Sequence, residues 1–147
     1  MTDSTDLAVF DRIEKSIDIA APADRVFEFV SEPGWFINDG EYRAHEIERD
    51  GDVSLVRDPV HGDFGILTVA LEPPARAAFR WVGEGAGSTL VEFSVEAVDG
   101  GARLSVVESG FASLPGSDAD RRAAYEGNSQ GWDIELDVAR TACEGAA

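Results

Sequence analysis

The chain has 147 residues, 44% of them hydrophobic, and a formal net charge of −17 from 12 basic and 29 acidic residues. A chain of this length suits one domain that buries about 70% of its unfolded surface. The strong negative charge argues against binding to nucleic acid or to an anionic membrane surface. No apolar run approaches the roughly 20 residues that cross a bilayer.

Residues 1–6 are polar and acidic and lack the basic start and apolar stretch of a signal peptide. We therefore expect a cytoplasmic protein with a disordered N-terminus over residues 1–9 and a single domain over residues 10–147. The single cysteine, Cys143, excludes an internal disulfide, and with no histidine nearby in the sequence it is not expected to be a nucleophile.

The N-terminal quarter predicts one strand followed by two short helical segments. Hydrophobic and polar residues alternate over residues 10–20, which is the period of a half-buried strand. Ala-Pro-Ala-Asp at residues 21–24 is typical of a helix start. Trp-Phe-Ile at residues 35–37 is too short for a full helix and too apolar for a solvent loop, so we expect a second helical turn that packs inward.

The middle of the chain predicts six further strands separated by turns. Asp50-Gly51 between the first two is the strongest hairpin signal. Consecutive strands joined by short turns are antiparallel, so the pattern predicts an α+β fold with a seven-stranded sheet. The six segments are residues 42–49, 53–57, 64–72, 77–82, 89–98 and 103–109.

The last long segment, residues 118–143, has the period of a helix. The side opposite its charged stripe has small or polar residues along the midline and large residues only at the flanks. Two interpretations stay open: close contact of the helix with the sheet, or a ligand-sized hollow. The midline residues are Ala124, Asn128, Gly131, Glu135, Val138 and Ala142, and the flanking residues are Tyr125, Trp132, Ile134 and Leu136.

The sequence contains few signals for metal, phosphate or nucleophilic chemistry. The glycines of residues 83–87 are followed by a strand rather than a helix, so they predict a hairpin turn and not a phosphate loop. His45 and His61 have no second ligand at metal-binding spacing. We expect neither a metal nor a cofactor.

Glu108 is the most informative polar residue. It shares a strand face with Leu104 and Val106, so the alternation directs it toward the covered side of the sheet. Together with Glu135 it would place two carboxylates near an enclosed space, where desolvation and repulsion would raise the pKa of at least one. The alternative is a position at the strand end, open to water. We favour a polar ligand contact over catalysis.

Several short motifs in this order resemble the START-like superfamily, also called SRPBCC. The closest resemblance is to the branch named after the C-terminal domain of the activator of the heat-shock protein 90 ATPase. The motifs are Ala21-Pro22 with Val26-Phe27, Pro33-Gly34-Trp35-Phe36, Phe79-x-Trp81, Glu108-Ser109-Gly110-Phe111 and Gly131-Trp132.

The resemblance implies a helix-grip fold, in which a curved antiparallel sheet wraps a long C-terminal helix and leaves a hydrophobic cavity between them. Members include lipid carriers, hormone receptors, polyketide cyclases and chaperone regulators, so the fold does not define the activity. The branch has no common catalytic set to carry over. We expect a lone domain without the co-chaperone's additional N-terminal domain, and this expectation argues against a direct chaperone role.

The leading hypothesis is a monomer or homodimer that binds a small hydrophobic molecule, such as a lipid or a polyketide-like or aromatic compound. A cyclase or dehydratase that uses Glu108 or Glu135 as acid or base is the second hypothesis. A protein-interaction module, for example a chaperone partner, is the third. The expected ligand contacts are the apolar Trp35, Phe64, Trp81, Phe93, Tyr125 and Trp132 and the polar Glu108, Asn128 and Glu135.

Overall fold

The computed structural model describes residues 12–36, 45–58, 62–73, 75–82, 89–111, 114 and 116–145. Predictions that concern residues 1–11, 37–44, 59–61 and 83–88 lie outside this range. Within it the chain forms strands β1 (Arg12–Ile19), β2 (Glu46–Asp50), β3 (Val53–Asp58), β4 (Gly62–Glu72), β5 (Arg76–Val82), β6 (Leu90–Val98) and β7 (Gly101–Ser109), and helices α1 (Ala23–Val30) and α2 (Asp118–Gly145).

The strands form one curved antiparallel sheet in the order β1-β7-β6-β5-β4-β3-β2. Strands β2 to β7 are neighbours in the order in which they follow along the chain, whereas β1 pairs with β7 at the far edge. The segment between β1 and β2, which includes α1, therefore takes the chain from one edge of the sheet to the other. This topology confirms the predicted α+β class and the helix-grip fold.

Glycines in the left-handed region form two of the tight turns. Gly51, with a φ of 64°, follows Asp50 in the β2–β3 hairpin, and Gly100, with a φ of 84°, follows Asp99 in the β6–β7 hairpin. A side chain at such a φ meets the backbone, whereas glycine adopts it at little cost. The Asp-Gly signal in the sequence therefore located the first hairpin correctly.

The segment after α1 differs from the prediction of two short helices. Among the described residues only α1 is helical here, and Trp35 and Phe36 lie in a turn in which the Trp35 N–H donates to the Glu32 carbonyl. Pro33 has no backbone N–H, and Gly34 has a φ of 77°, so a helix cannot continue through them. Trp35 is nevertheless fully buried, as its apolar character predicted.

The inner face of the sheet follows the predicted alternation on its central strands. Phe93 on β6 and Leu104, Val106 and Glu108 on β7 are all buried. Ala97, two residues after the buried Val95 in the same alternation, is exposed, so the covered face of β6 ends at Val95. Because side chains alternate with a period of two, the buried residues define the register of the whole face.

Helix α2 packs mainly on β1 and α1 through its C-terminal half. Its buried stripe contains Trp132, Leu136, Ala139 and Cys143, which are spaced as one face of a helix requires. Ile134, expected on a flank of the packing face, is 53% exposed. The buried stripe of α2 is therefore rotated around the helix axis relative to the midline predicted from the sequence. The small, polar residues of the N-terminal half gave little indication of which side of the helix packs against the sheet.

Candidate functional site

A buried carboxylate, that of Glu108, lies where the sheet meets α2. Glu108 is 1% exposed. The Trp132 indole N–H donates to Oε1 at 2.8 Å, and the Thr89 hydroxyl donates to Oε2 at 2.5 Å. The Asn128 amide contacts both oxygens, at 3.2 Å for Oε1 and 3.1 Å for Oε2. Three neutral donors thus converge on one carboxylate.

Local sequence rules bring these donors together. In the β6–β7 register Glu108 lies opposite Val91, and Thr89, two residues earlier, shares its face just before β6 begins. Asn128 and Trp132 are four residues apart on α2, so they lie one above the other on the same helix face. A strand end and one helical turn therefore supply the complete set of donors.

Hydrogen bonds compensate for the burial of this carboxylate. An ionised carboxylate only accepts hydrogen bonds and offers about four acceptor positions. The four contacts from Thr89, Asn128 and Trp132 occupy that capacity. None of the ion pairs among the described residues involves Glu108. The hydrogen-bond partners of the carboxyl group are thus neutral side chains, and no cation among the described residues pairs with it.

A cavity of about 200 Å³ adjoins Glu108. The sheet supplies Glu108 and Trp81, the turn after α1 supplies Phe36, and α2 supplies the other wall, which includes Trp132. Gly127 and Asn128 are exposed, which places the mouth of the cavity along α2. Its lining comprises Phe36, Trp81, Glu108, Gly127, Asn128, Gly131, Trp132 and Glu135.

Two glycines of α2 keep this space open. A Cβ atom at Gly127 or at Gly131 would meet no atom within 4 Å. Close contact between helix and sheet would require a neighbouring atom at these positions, so Gly131 does not serve tight packing. The ligand-sized hollow stays a prediction, which the cavity beside Glu108 supports.

Four predicted polar or aromatic contacts line the cavity together with Glu108: Trp81, Asn128, Trp132 and Glu135. Trp35 and Phe93, expected as cavity walls, are fully buried instead in the core behind it. Their ring centroids lie 6.5 Å and 5.6 Å from that of Trp132. They support the cavity wall rather than form it.

Phe64 and Tyr125, also expected as cavity walls, pack elsewhere. The Phe64 ring lies 5.5 Å from the Trp81 ring on the adjacent strand. The Tyr125 ring lies 5.4 Å from that of Phe111. Phe64 supports Trp81 from outside the lining, whereas Tyr125 packs on Phe111, which follows β7.

Thr89, Phe36 and Gly127 belong to the site although they were not among the ligand contacts expected from the sequence. The inward direction of Thr89 could have been predicted from the sequence, because it alternates with Val91 and Phe93 of β6. Phe36 was expected to pack inward, but its position at the cavity depends on the turn over residues 33–36. Gly127 had no signal in the sequence, since an isolated helical glycine does not reveal what it faces.

A second and larger hollow, of about 550 Å³, lies between α1 and the end of α2. Many of its lining residues are charged helix side chains, so it lacks the apolar walls typical of a small-molecule site. Cys143 borders it, and burial raises the pKa of that thiol to about 11. A thiol with this pKa is protonated near neutral pH and is a poor nucleophile.

His45 and Asp58 form a separate buried pair, with 3.8 Å between His45 Nε2 and Asp58 Oδ1. They lie at the open end of the β2–β3 hairpin and do not line the cavity beside Glu108. In the described part of the chain, no group of three or more histidine, cysteine, aspartate or glutamate side chains is placed to hold a metal ion. No helix there is long and apolar enough to span a bilayer.

Comparison with protein families gives a match over residues 20–138 to the family described as activator of Hsp90 ATPase homolog 1-like protein. The chain belongs to this family. The resemblance found in the sequence motifs is thereby confirmed. A search of curated protein sequences gives no significant match.

Solved structures show the same fold as this activator-like chain. Protein CV1439 from Chromobacterium violaceum has a TM-score of 0.67 and 20% identity, with 91% of this chain and 98% of that chain covered. The Aha1 dimer from Colwellia psychrerythraea has a TM-score of 0.66 and 16% identity, with 90% and 96% covered. The Zhui aromatase/cyclase from Streptomyces sp. R1128 has a TM-score of 0.68 and 18% identity, with 90% and 93% covered.

Proposed function

We propose that this chain binds a small hydrophobic molecule in the cavity beside Glu108. The observation that carries the proposal is the buried carboxylate with its three donors at the wall of an open, aromatic-lined space. Small-molecule sites combine apolar walls with a few convergent polar groups. The activator-like family and the shared fold are compatible with a ligand-binding or a cyclase-type role.

The size of the cavity narrows the class of ligand. Sites for drug-sized molecules have volumes of about 300–1,000 Å³, whereas this open cavity has a volume of about 200 Å³. A compound with one aromatic ring fits this space better than a sterol or an extended fatty acid. Three aromatic rings, those of Phe36, Trp81 and Trp132, are available to pack against it.

The Gly131→Leu variant tests the proposal. The added side chain enters the cavity, where a Cβ meets no atom within 4 Å, so the fold is expected to persist while ligand binding falls at least about tenfold. Binding of a library of single-ring aromatics is followed by the NMR signals of the Trp81 and Trp132 indole groups. The Trp35 indole, which does not line the cavity, is the internal reference.

Ala123→Leu is the matched control, because it adds bulk at an exposed position of the same helix. It should bind each ligand as the parent does. Equal affinity of Gly131→Leu and the parent for every ligand would place the binding elsewhere. The absence of saturable shifts with any compound in the library would refute the proposed function itself.

A second candidate is an acid–base enzyme of the cyclase or dehydratase type. The position of Glu108 at the wall of the cavity favours this candidate, because its hydrogen-bond partners fix the orientation of its carboxyl group. Among the structures with the same fold is one of an aromatase/cyclase. Once a ligand is known, Glu108→Gln should abolish turnover while binding persists, and unchanged turnover would exclude this candidate.

Assembly with other chains is a separate question. One structure with this fold is of an Aha1 dimer, which is a property of that protein. For this chain we retain the proposal of a monomer or a homodimer in the cytoplasm, with a chaperone contact as the less favoured alternative. Analytical ultracentrifugation at several concentrations would distinguish monomer from homodimer.

A further inference from the structure

We propose that the ligand is a small aromatic compound with a hydrogen-bond donor, such as a phenol, and that Asn128 recognises this donor. This inference rests on the proposed function and specifies the chemical class of the ligand. Three observations carry it: the contacts that orient the Asn128 amide, the unused acceptor of that amide, and the hydrogen bonds that already occupy the other members of the cluster around Glu108.

The Asn128 amide is held in one orientation by Glu108. Its Nδ2 donates to Oε1 at 3.2 Å and to Oε2 at 3.1 Å. An ionised carboxylate accepts hydrogen bonds and donates none, so it must face the NH₂ end of the amide and not the carbonyl end. Because the nitrogen and the oxygen of an amide are bonded to the same carbon, the position of Nδ2 also fixes that of Oδ1.

The Asn128 Oδ1 accepts no hydrogen bond from the described part of the chain. A carbonyl oxygen has two lone pairs and is a good acceptor. Asn128 is exposed and belongs to the lining of the cavity, so this oxygen is available to a bound ligand. A ligand that displaces water from Oδ1 has to offer a donor in its place, because leaving the oxygen unpaired costs free energy.

The other members of the cluster offer little to a ligand. The buried Thr89 donates its hydroxyl hydrogen to Glu108 at 2.5 Å, and the Trp132 indole donates its only N–H at 2.8 Å. The two oxygens of Glu108 accept four contacts, which is about the capacity of a carboxylate. The accessible unused capacity of this cluster is therefore the Asn128 carbonyl oxygen.

A phenol combines an apolar ring with the required donor. One ring suits a cavity of about 200 Å³ that Phe36, Trp81 and Trp132 help to line. The phenolic hydroxyl group can donate to Asn128 Oδ1. A site that hydrogen-bonds a ligand hydroxyl group rejects analogues that lack it, since its polar group is then left unpaired. An aromatic nitrile or hydrocarbon of the same size should consequently bind less tightly.

Three probes of similar size test the inference on the parent. Phenol donates and accepts hydrogen bonds, benzonitrile only accepts them, and toluene does neither. Each is titrated with the indole signals of Trp81 and Trp132 as readout. Phenol should bind about tenfold more tightly than benzonitrile. Tighter binding of benzonitrile would indicate recognition by a donor such as the Trp81 indole N–H and would overturn the inference.

The Asn128→Leu variant removes the acceptor at an exposed position, so the fold is expected to persist. The preference for phenol over benzonitrile should fall to less than about twofold. Gln130→Leu is the matched control, because it removes an exposed amide of the same helix outside the lining and should leave the preference unchanged. A preference for phenol that survives in Asn128→Leu would assign the donor to another acceptor, such as Glu135, and would contradict the inference.

The Glu108→Gln variant tests why the amide has this orientation. Trp132 Nε1 can only donate, so the new carbonyl oxygen should take the place of Oε1 and the new NH₂ group that of Oε2. In the parent, Oε2 lies 3.1 Å from Asn128 Nδ2, so two NH₂ groups would meet and the Asn128 amide should turn over. The ligand then meets a donor, and the preference for phenol over benzonitrile should disappear. An unchanged preference in a folded variant would overturn the positioning role of Glu108.

The outcomes separate the two proposals. Equal affinity of the parent for phenol, benzonitrile and toluene overturns the inference about the donor while the proposed function stands. If neither these probes nor any compound of the single-ring library binds, both proposals are overturned. Loss of the preference in Gln130→Leu as well as in Asn128→Leu would mean that the effect does not come from the cavity, and it also overturns the inference.

Discussion

At the scale of single residues, the feature that distinguishes this protein is a charged group placed where the fold otherwise buries apolar side chains. On β7, Glu108 points to the same face of the sheet as the buried apolar residues Leu104 and Val106. Burying a carboxylate is unfavourable unless hydrogen bonds replace the lost water. The loss of stability on removing one donor therefore measures how strongly the folded state depends on these bonds.

The Thr89→Val variant measures this contribution. It keeps the shape of the side chain but removes the hydroxyl that donates to Glu108 at 2.5 Å. Since a buried acceptor then loses a partner, we expect the free energy of unfolding to fall by about 1–3 kcal/mol in urea denaturation. Thr141→Val removes a hydroxyl at an exposed position of α2 and should change it by less than about 0.5 kcal/mol. Equal effects of the two variants would contradict this account.

At the scale of elements, α2 begins with a reciprocal pair of hydrogen bonds. The Asp120 N–H donates to the Ser117 hydroxyl at 3.1 Å, and the Ser117 N–H donates to the Asp120 carboxylate at 3.0 Å. This is a capping box, which satisfies two backbone donors at the helix start. The residues of α2 before Trp132 are exposed or half-buried, so hydrogen bonds at the helix start are expected to contribute to the stability of this half.

The Ser117→Ala variant should lower the free energy of unfolding by about 1 kcal/mol at neutral pH, as for other N-cap deletions. Thr141→Ala, inside the same helix and exposed, serves as the control and should not destabilise the protein. Thermal unfolding followed by circular dichroism measures both variants. An unchanged midpoint for Ser117→Ala would show that the cap contributes nothing.

The same capping box has a pH dependence of known sign. The hydrogen bond from the Ser117 backbone N–H, followed by that with the Ser117 side chain, lowers the pKa of Asp120 from its usual value of 3.8. A lowered pKa in the folded state contributes stability above the unfolded value, and this contribution is lost as pH falls through the folded pKa. Urea denaturation should therefore show a stability advantage of the parent over an Asp120→Asn variant at neutral pH, and this advantage should shrink below about pH 4.

At the scale of the whole molecule, repulsion between like charges opposes folding. The chain has 12 basic and 29 acidic residues. Exposed ion pairs such as Arg57–Glu48, at 2.8 Å, and Arg103–Asp18, at 2.9 Å, relieve part of this repulsion. Each exposed pair contributes little, typically below about 1 kcal/mol. The formal net charge of −17 therefore dominates the response to salt.

We expect added salt to stabilise the chain. Raising NaCl from about 10 mM to about 500 mM shortens the screening length from roughly 30 Å to a few Å, so repulsion among distant carboxylates weakens. The free energy of unfolding should rise on the order of 1 kcal/mol. As pH falls and carboxylates become protonated, the salt effect should shrink. A fall in stability with salt at neutral pH would mean that the ion pairs outweigh the repulsion.

Local periodicity, turn residues and short motifs were sufficient to predict the fold class, the strand segments, the inward direction of Glu108 and the family. These signals depend only on the order of residues along the chain, so they can be recognised before any long-range contact is known. Which aromatic residues line the cavity, and which fill the core behind it, depends on tertiary packing. Trp35 and Phe93 were indistinguishable from Trp81 in the sequence, because all three are large apolar residues in buried segments. Their roles depend on how α2 lies across the sheet, and Gly127 and Gly131 border the cavity only in that arrangement.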